Sequence, residues 1–453
     1  MRNNKIDKKE LIFQPKALVA LLTPIIIEQL LNSLMGMTDT MMVSNVGKEV
    51  LSAVSLVDSI NNLVIQLFSA MATGATILCS QYIGSKNYEG GNRAARQVVL
   101  TVLVISLSLT VLGLGLRKPL LSLIFGQIEP DVMGYAQVYF FVTALSYPFV
   151  ALFNAGSALF RASGNSRYPM RISVISNGMN IAGNAILIFG FGMGALGAAL
   201  STLVSRIFCT VVVFAALRKP RQCIVVDGYF YIRPQWNLIA AILAIGIPSG
   251  VENSMFQFGK LAIQSTVSTM GTTAISAQAM TNILESVNGI FGIGVGIGLM
   301  TVVGQCIGAG RPDQARYYIL RLTAGAEVGL TVSCLLVYAA APLVTRLAGM
   351  DAESAALCLR MVGAITVVKP LTWTLSFVPV YGMRGAGDVK FSMLVSSATM
   401  WCMRVALCIY LVRTFQMGPM AVWYGMFADW TLRGIIFSLR FFSGKWVKTK
   451  LVG

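Results

Sequence analysis

The chain has 453 residues, of which 56% are hydrophobic and only 12% charged, and its mean hydropathy is +0.72. A soluble domain averages about 25% charged residues, so this composition excludes a water-soluble globular protein and implies an integral membrane one. The net charge of +17 would suggest nucleic acid in a soluble protein, but here the basic residues lie in short loops between apolar stretches, so no nucleic-acid partner is expected.

Stretches able to cross a bilayer, which takes about 20 apolar residues, are predicted at 17–43, 51–80, 95–116, 132–157, 169–190 and 195–217. Six more follow at 238–268, 275–306, 318–341, 356–381, 390–412 and 419–440. The start, with Arg2, Lys5, Lys8 and Lys9, has the charge of a signal peptide. Its apolar run nevertheless continues to Val43 past Pro24, Glu28 and Asp39 with no small-residue cleavage pattern, so a retained first span is expected. Alternate segments are rich in Lys and Arg, from Lys86/Arg93/Arg96 through Arg161/Arg167/Arg171 and Arg311/Arg316/Arg321 to Lys445/Lys448/Lys450. The intervening loops hold few, so both termini are expected in the cytoplasm, in a bacterial-type inner (plasma) membrane. The expected organisation is a lobe at 1–217, a cytoplasmic linker at 218–237 and a second lobe at 238–453. The linker aromatics Tyr229, Phe230, Tyr231 and Trp236 suit the membrane surface.

The two lobes repeat one another. Pro24 and Glu28 return as Pro248 and Glu252, Gly74 as Gly298, and Gln81-x-Ile83-Gly84 as Gln305-x-Ile307-Gly308, each 224 residues on. Pro148 returns as Pro370, and Arg161-x-x-Gly164-Asn165 as Arg384-x-x-Gly387-Asp388, at an offset of 222 to 223. Six spans per copy keep both copies in one orientation, an arrangement common in secondary transporters. The fold class expected is therefore all-α, with twelve transmembrane helices in two six-helix bundles related by a pseudo-two-fold axis. There is no histidine and no phosphate-binding G-x-x-x-x-G-K-[ST] loop, and no nucleophile–base pair emerges. An enzyme is not expected, no cofactor is called for, and an ion gradient is the expected energy source. The eight cysteines contain no C-x-x-C pair and read as small buried residues.

Several motifs, in this order, resemble the multidrug and toxic compound extrusion (MATE) family over nearly the whole chain. They are Pro24 with Thr38-Asp39-Thr40-Met41-Met42-Val43, Gln81-Tyr82-Ile83-Gly84, Phe160-Arg161-Ala162-Ser163-Gly164-Asn165, Asn177-x-x-Asn180-x-x-x-Asn184, and Met383-Arg384-Gly385-Ala386-Gly387-Asp388. The resemblance implies efflux of small organic, often cationic, compounds in exchange for Na+ or H+ entering, by alternating access of a central cleft.

An acid at mid-bilayer costs about 2.5 kcal/mol or more on insertion scales, which makes each one a site candidate. Asp39 leads, because its repeat mate is Ile263, so the fold does not need an acid there. The resemblance also implies a cation-coupling aspartate in the first helix. The competing reading is an acid that is solvated or capping near a helix end. Asn180 and Asn184 share a helix face one turn apart, with Asn154 as a neighbour. Their amide oxygens suit Na+, which would make Asp39, Asn180 and Asn184 its ligands, and the alternative is hydrogen bonding between helices. Glu252 resembles a second coupling acid of some family branches, yet Glu28 at the same repeat position argues for a shared structural role. Glu285 and Asp58, whose repeat mates are Asn61 and Asn282, are expected with Phe256 and Phe291 to bind substrate, acids for cationic compounds and rings for stacking. Packing is the alternative for the rings. Asp429 is expected to pair with Arg433 one turn away. Gly292, Gly294, Gly296 and Gly298 read as close helix packing rather than a nucleotide loop. The expected partners are small organic cations and membrane lipids, with a monomeric protein. The alternative function is a flippase for lipid-linked precursors, disfavoured because intramembrane acids outnumber the mid-span bases Arg206, Lys260, Arg360, Lys369 and Arg404.

Overall fold

Proline and glycine set the frame of the helices. The computed structural model describes residues 10–126, 129–220, 222–228 and 233–448. Arg2, Lys5, Lys8, Lys9, Tyr229, Phe230, Tyr231 and Lys450 lie outside the described residues. Trp236 is described, and it is 75% exposed at the start of a helix. The first repeat holds α1 (Pro15–Ser44), α2 (Lys48–Gly84), α3 (Tyr88–Gly115), α4 (Arg117–Phe125), α5 (Pro130–Leu145), α6 (Tyr147–Ala162), α7 (Arg167–Asn184) and α8 (Gly194–Leu217). The second holds α9 (Trp236–Ser268), α10 (Thr272–Gly308), α11 (Pro312–Leu347), α12 (Ala352–Gly385), α13 (Val389–Thr399), α14 (Leu407–Phe415) and α15 (Met420–Phe442). A π-helical turn extends α7 over Ala185–Gly190, and another, Met400–Ala406, joins α13 to α14. Such turns widen the hydrogen-bond ladder and often mark functional segments.

Ten spans, with α7 extended through its π turn and α13 and α14 joined through theirs, are long and apolar enough to cross a bilayer singly. The span expected at 132–157 is broken. Its halves, α5 and α6, bend by 42° beside Ser146, where Pro148 occupies the first turn of α6 and removes a backbone donor. α15 is the twelfth span, with 23 residues, and Asp429 and Arg433 lower its hydropathy.

The chain divides into two compact units. One holds Met1–Ile26 with Val251–Gly453, and the other holds Ile27–Gly250. Both cuts fall three residues beyond a helix-interior proline, Pro24 and Pro248, at repeat-equivalent positions 224 residues apart. The first turns of α1 thus pack with the second repeat. Tyr318 Oη donates to the Phe13 carbonyl at 2.8 Å, and the Ile12 amide donates to Gln314 Oε1 at 2.9 Å. The glycines make this packing possible. A Cβ on Gly298 would lie 2.3 Å from the Leu22 side chain, and one on Gly74 would lie 3.1 Å from the Ile242 carbonyl of α9 in the other unit's own packing. Gly292 and Gly296 meet Trp373 and Tyr381 in the same way, which accounts for the glycine run in α10.

Candidate functional site

In the unit Ile27–Gly250, α1 carries Asp39 past the helix midpoint to the facing turns of α7. Asp39 Oδ1 accepts from Asn184 Nδ2 at 2.8 Å. Asn180, one turn earlier on α7, has its amide 3.1 Å from that of Asn184. Turned so that its oxygen accepts from Thr202 Oγ1 at 3.2 Å, Asn180 also donates to Asp39 Oδ1, at 2.9 Å. Both asparagines are buried, Asp39 is half-buried, and Asn184 Oδ1 is buried without a hydrogen-bond partner. A carboxylate and a free amide oxygen at one spot suit a hard monovalent cation, and the carboxylate alone suits a proton. Asn154 sits half-buried on α6, and among the described residues no hydrogen bond joins it to Asp39.

Asp58 stands behind this group on α2. It accepts from Asn61 Nδ2 at 3.1 Å and from Tyr139 Oη at 3.2 Å, and its charge acts on Asp39 through space. Arg206 of α8 donates to Ser146 Oγ at 2.6 Å and acts on both acids without an ion pair to either among the described residues. Two acids and one base therefore share this interior.

Glu28 and Glu252 have matching environments in the two repeats. Arg161 Nη1 lies 3.2 Å from Glu28 Oε2, and Arg384 Nη2 lies 2.5 Å from Glu252 Oε1. Glu252 is thus held by its own repeat's arginine, as Glu28 is. No acid corresponding to Asp39 exists in the second repeat, because Ile263 packs there in an apolar cluster with Val267, Val405, Cys408 and Val422.

Glu285 is paired with one of the mid-span bases. Lys369, fully buried, places Nζ 2.5 Å from Glu285 Oε1 and 3.0 Å from the Glu285 carbonyl. The same contact exists in the first repeat in neutral form, where Tyr147 Oη donates to Asn61 Oδ1 at 2.8 Å. Asn61 aligns with Glu285, and Tyr147, which precedes Pro148, aligns with Lys369, which precedes Pro370. Reading those two substitutions together would have found the pair. Asp429 meets Arg433 at 3.0 Å as expected, and also Arg404 at 2.6 Å. Phe256 has Lys260 Nζ at 4.9 Å and Arg404 Cζ at 5.0 Å from its ring centre. Phe291 fills the notch at Gly329 of α11, where a Cβ would lie 2.1 Å from its ring.

The MatE family model matches this chain twice, over residues 24–186 and 248–410. The chain is 26% identical to the probable multidrug resistance protein NorM of Thermotoga maritima over 462 residues, covering 98% of this chain and 96% of that one. It is also 26% identical to the uncharacterized transporter YisQ of Bacillus subtilis, covering 95% of both. Its fold matches an outward-facing multidrug resistance MATE transporter of the MOP superfamily with a TM-score of 0.87 at 20% identity, covering 94% of this chain and 96% of that one. With both repeats matched by the family model, this chain belongs to the MatE family of multidrug efflux transporters.

Proposed function

We propose that this transporter is an antiporter in which Na+ or H+, bound at Asp39 with Asn180 and Asn184, drives export of small organic compounds, cationic ones among them. The observation that carries this reading is the half-buried carboxylate of Asp39, met by two buried amides, one with a free oxygen, where the other repeat packs Ile263 in an apolar cluster with Val405 and Cys408. Binding and release of the ion change the charge of this group, and an acid in a partly dry interior makes that change sensitive to conformation. Asp58, acting on Asp39 through space, adds to the negative character of this interior and favours cations. Glu252, tied to Arg384, serves with its mate Glu28 to fasten each repeat's proline-containing first helix to the end of its partner helix. The protein works as a monomer in the plasma membrane, in contact with lipids, and its termini face the cytoplasm.

The test is efflux of a fluorescent organic cation from proteoliposomes, driven separately by inward Na+ and inward H+ gradients. Gradient-driven export by the wild type, absent in Asp39→Asn, is the expected result and names the ion. Equal gradient-driven export by the variant would remove Asp39 from coupling.

A further inference from the structure

The membrane interior of the unit containing Val251–Gly453 gathers four cations from three helices and a π turn. They are Lys260 on α9, Lys369 on α12, Arg404 in the second π turn and Arg433 on α15. Among the described residues two carboxylates pair with them, Glu285 with Lys369 and Asp429 with both arginines. Arg433 is further satisfied by Thr399 and the Ser396 carbonyl, whereas Arg404 Nε is buried without a partner. Lys260 makes no ion pair among the described residues.

Lys260 Nζ lies over the ring of Phe256, one turn earlier on α9, and shares that ring with Arg404. Its charge also acts on Glu285, as does that of Arg404. Lys260 is exposed on this face, while Arg404 is buried beside it. Uncompensated positive charge in a span is costly and calls for an anion to complete it.

We propose that this interior is an acid-binding site, in which Lys260, backed by Arg404, receives the carboxylate, phosphate or sulfonate of an exported organic compound. The proposal rests on the reading of the chain as an exporter and widens its substrates to acid-bearing compounds. It uses one exposed ammonium for first contact and a buried guanidinium with a free N–H behind it, a pairing that recognises oxyanions.

The experiment is equilibrium binding of two dyes with one ring system and opposite charge, fluorescein and rhodamine 6G, to the purified full chain in neutral detergent. The wild type is expected to bind fluorescein. Lys260→Gln is expected to weaken that binding by about tenfold, as for loss of one charge-assisted contact, and Lys260→Glu to weaken it further. Lys260→Arg should retain it, and rhodamine 6G affinity should not fall in any variant. Size-exclusion profiles and unfolding midpoints matching the wild type establish that each variant is folded. No fluorescein binding by the wild type, or equal loss of both dyes in Lys260→Glu, overturns the proposal. So does displacement of fluorescein by added phosphatidylglycerol, which would assign the site to a lipid headgroup. Binding is read without a gradient, so failure of either ion gradient to drive transport of either dye would count against the exporter reading alone.

Discussion

The two repeats share one helical plan but spend their polar residues differently. Glu28–Arg161 and Glu252–Arg384 are the same ion pair made twice. Asn61–Tyr147 and Glu285–Lys369 are the same contact made once with neutral groups and once with charges. Asp39 meets amides in one repeat, and Ile263 meets Val405 and Cys408 in the other. What duplication kept is what holds each bundle together. What it let diverge is the sign of each interior, acidic around Asp39, Asp58 and Arg206, and basic around Lys260, Lys369, Arg404 and Arg433. This difference fits a transporter that couples an ion on one side of its symmetry and recognises other charges on the second.

The sharpest way to break the comparison is to undo one exchanged contact. Lys369→Met strands the Glu285 carboxylate and is expected to cost about 3–5 kcal/mol, the range for breaking a buried pair from one side. The double variant Glu285→Asn/Lys369→Tyr rebuilds the first repeat's neutral contact and should recover most of that loss in thermal unfolding. No recovery would mean that the two contacts are not equivalent. Copying the acid of the first repeat into the second comes next. Ile263→Asp places a carboxylate among apolar side chains and should destabilise by about 2.5–3.5 kcal/mol without creating a coupling site. The shared pair should respond alike in both repeats: Arg161→Ala and Arg384→Ala are each expected to cost about 1.5–3 kcal/mol, the value of a hydrogen bond to a charged group. Losses differing by more than that range would show that one of the pairs has acquired a separate role.

Much of this plan was legible in the sequence because it is written twice. A fixed offset between Pro24 and Pro248 and between Gly74 and Gly298 reveals the duplication before any contact is known. Asp39 with Asn180 and Asn184 was legible too, since two amides at i and i+4 define a helix face and an acid without a repeat mate stands out. Other features depend on which helices adjoin. The Lys369–Glu285 pair spans 84 residues, and helix faces alone do not choose between Lys260 and Lys369 as the partner of Glu285. Counting acids against bases over the whole chain hid the opposite signs of the two interiors. Nor does hydropathy carry the exchange of helix starts between units. Both sides of Pro24 and of Pro248 are equally apolar, and only packing assigns Leu22 to Gly298 and Ile242 to Gly74.

The most direct test of the asymmetry is to neutralise Asp39 and Glu252 separately and to measure gradient-driven efflux of one organic cation from the same proteoliposomes. The account predicts that Asp39→Asn ends the response to the ion gradient while Glu252→Gln retains it and unfolds at a lower temperature. Loss of the gradient response in Glu252→Gln, with Asp39→Asn still driven, would contradict it and place coupling in the second repeat.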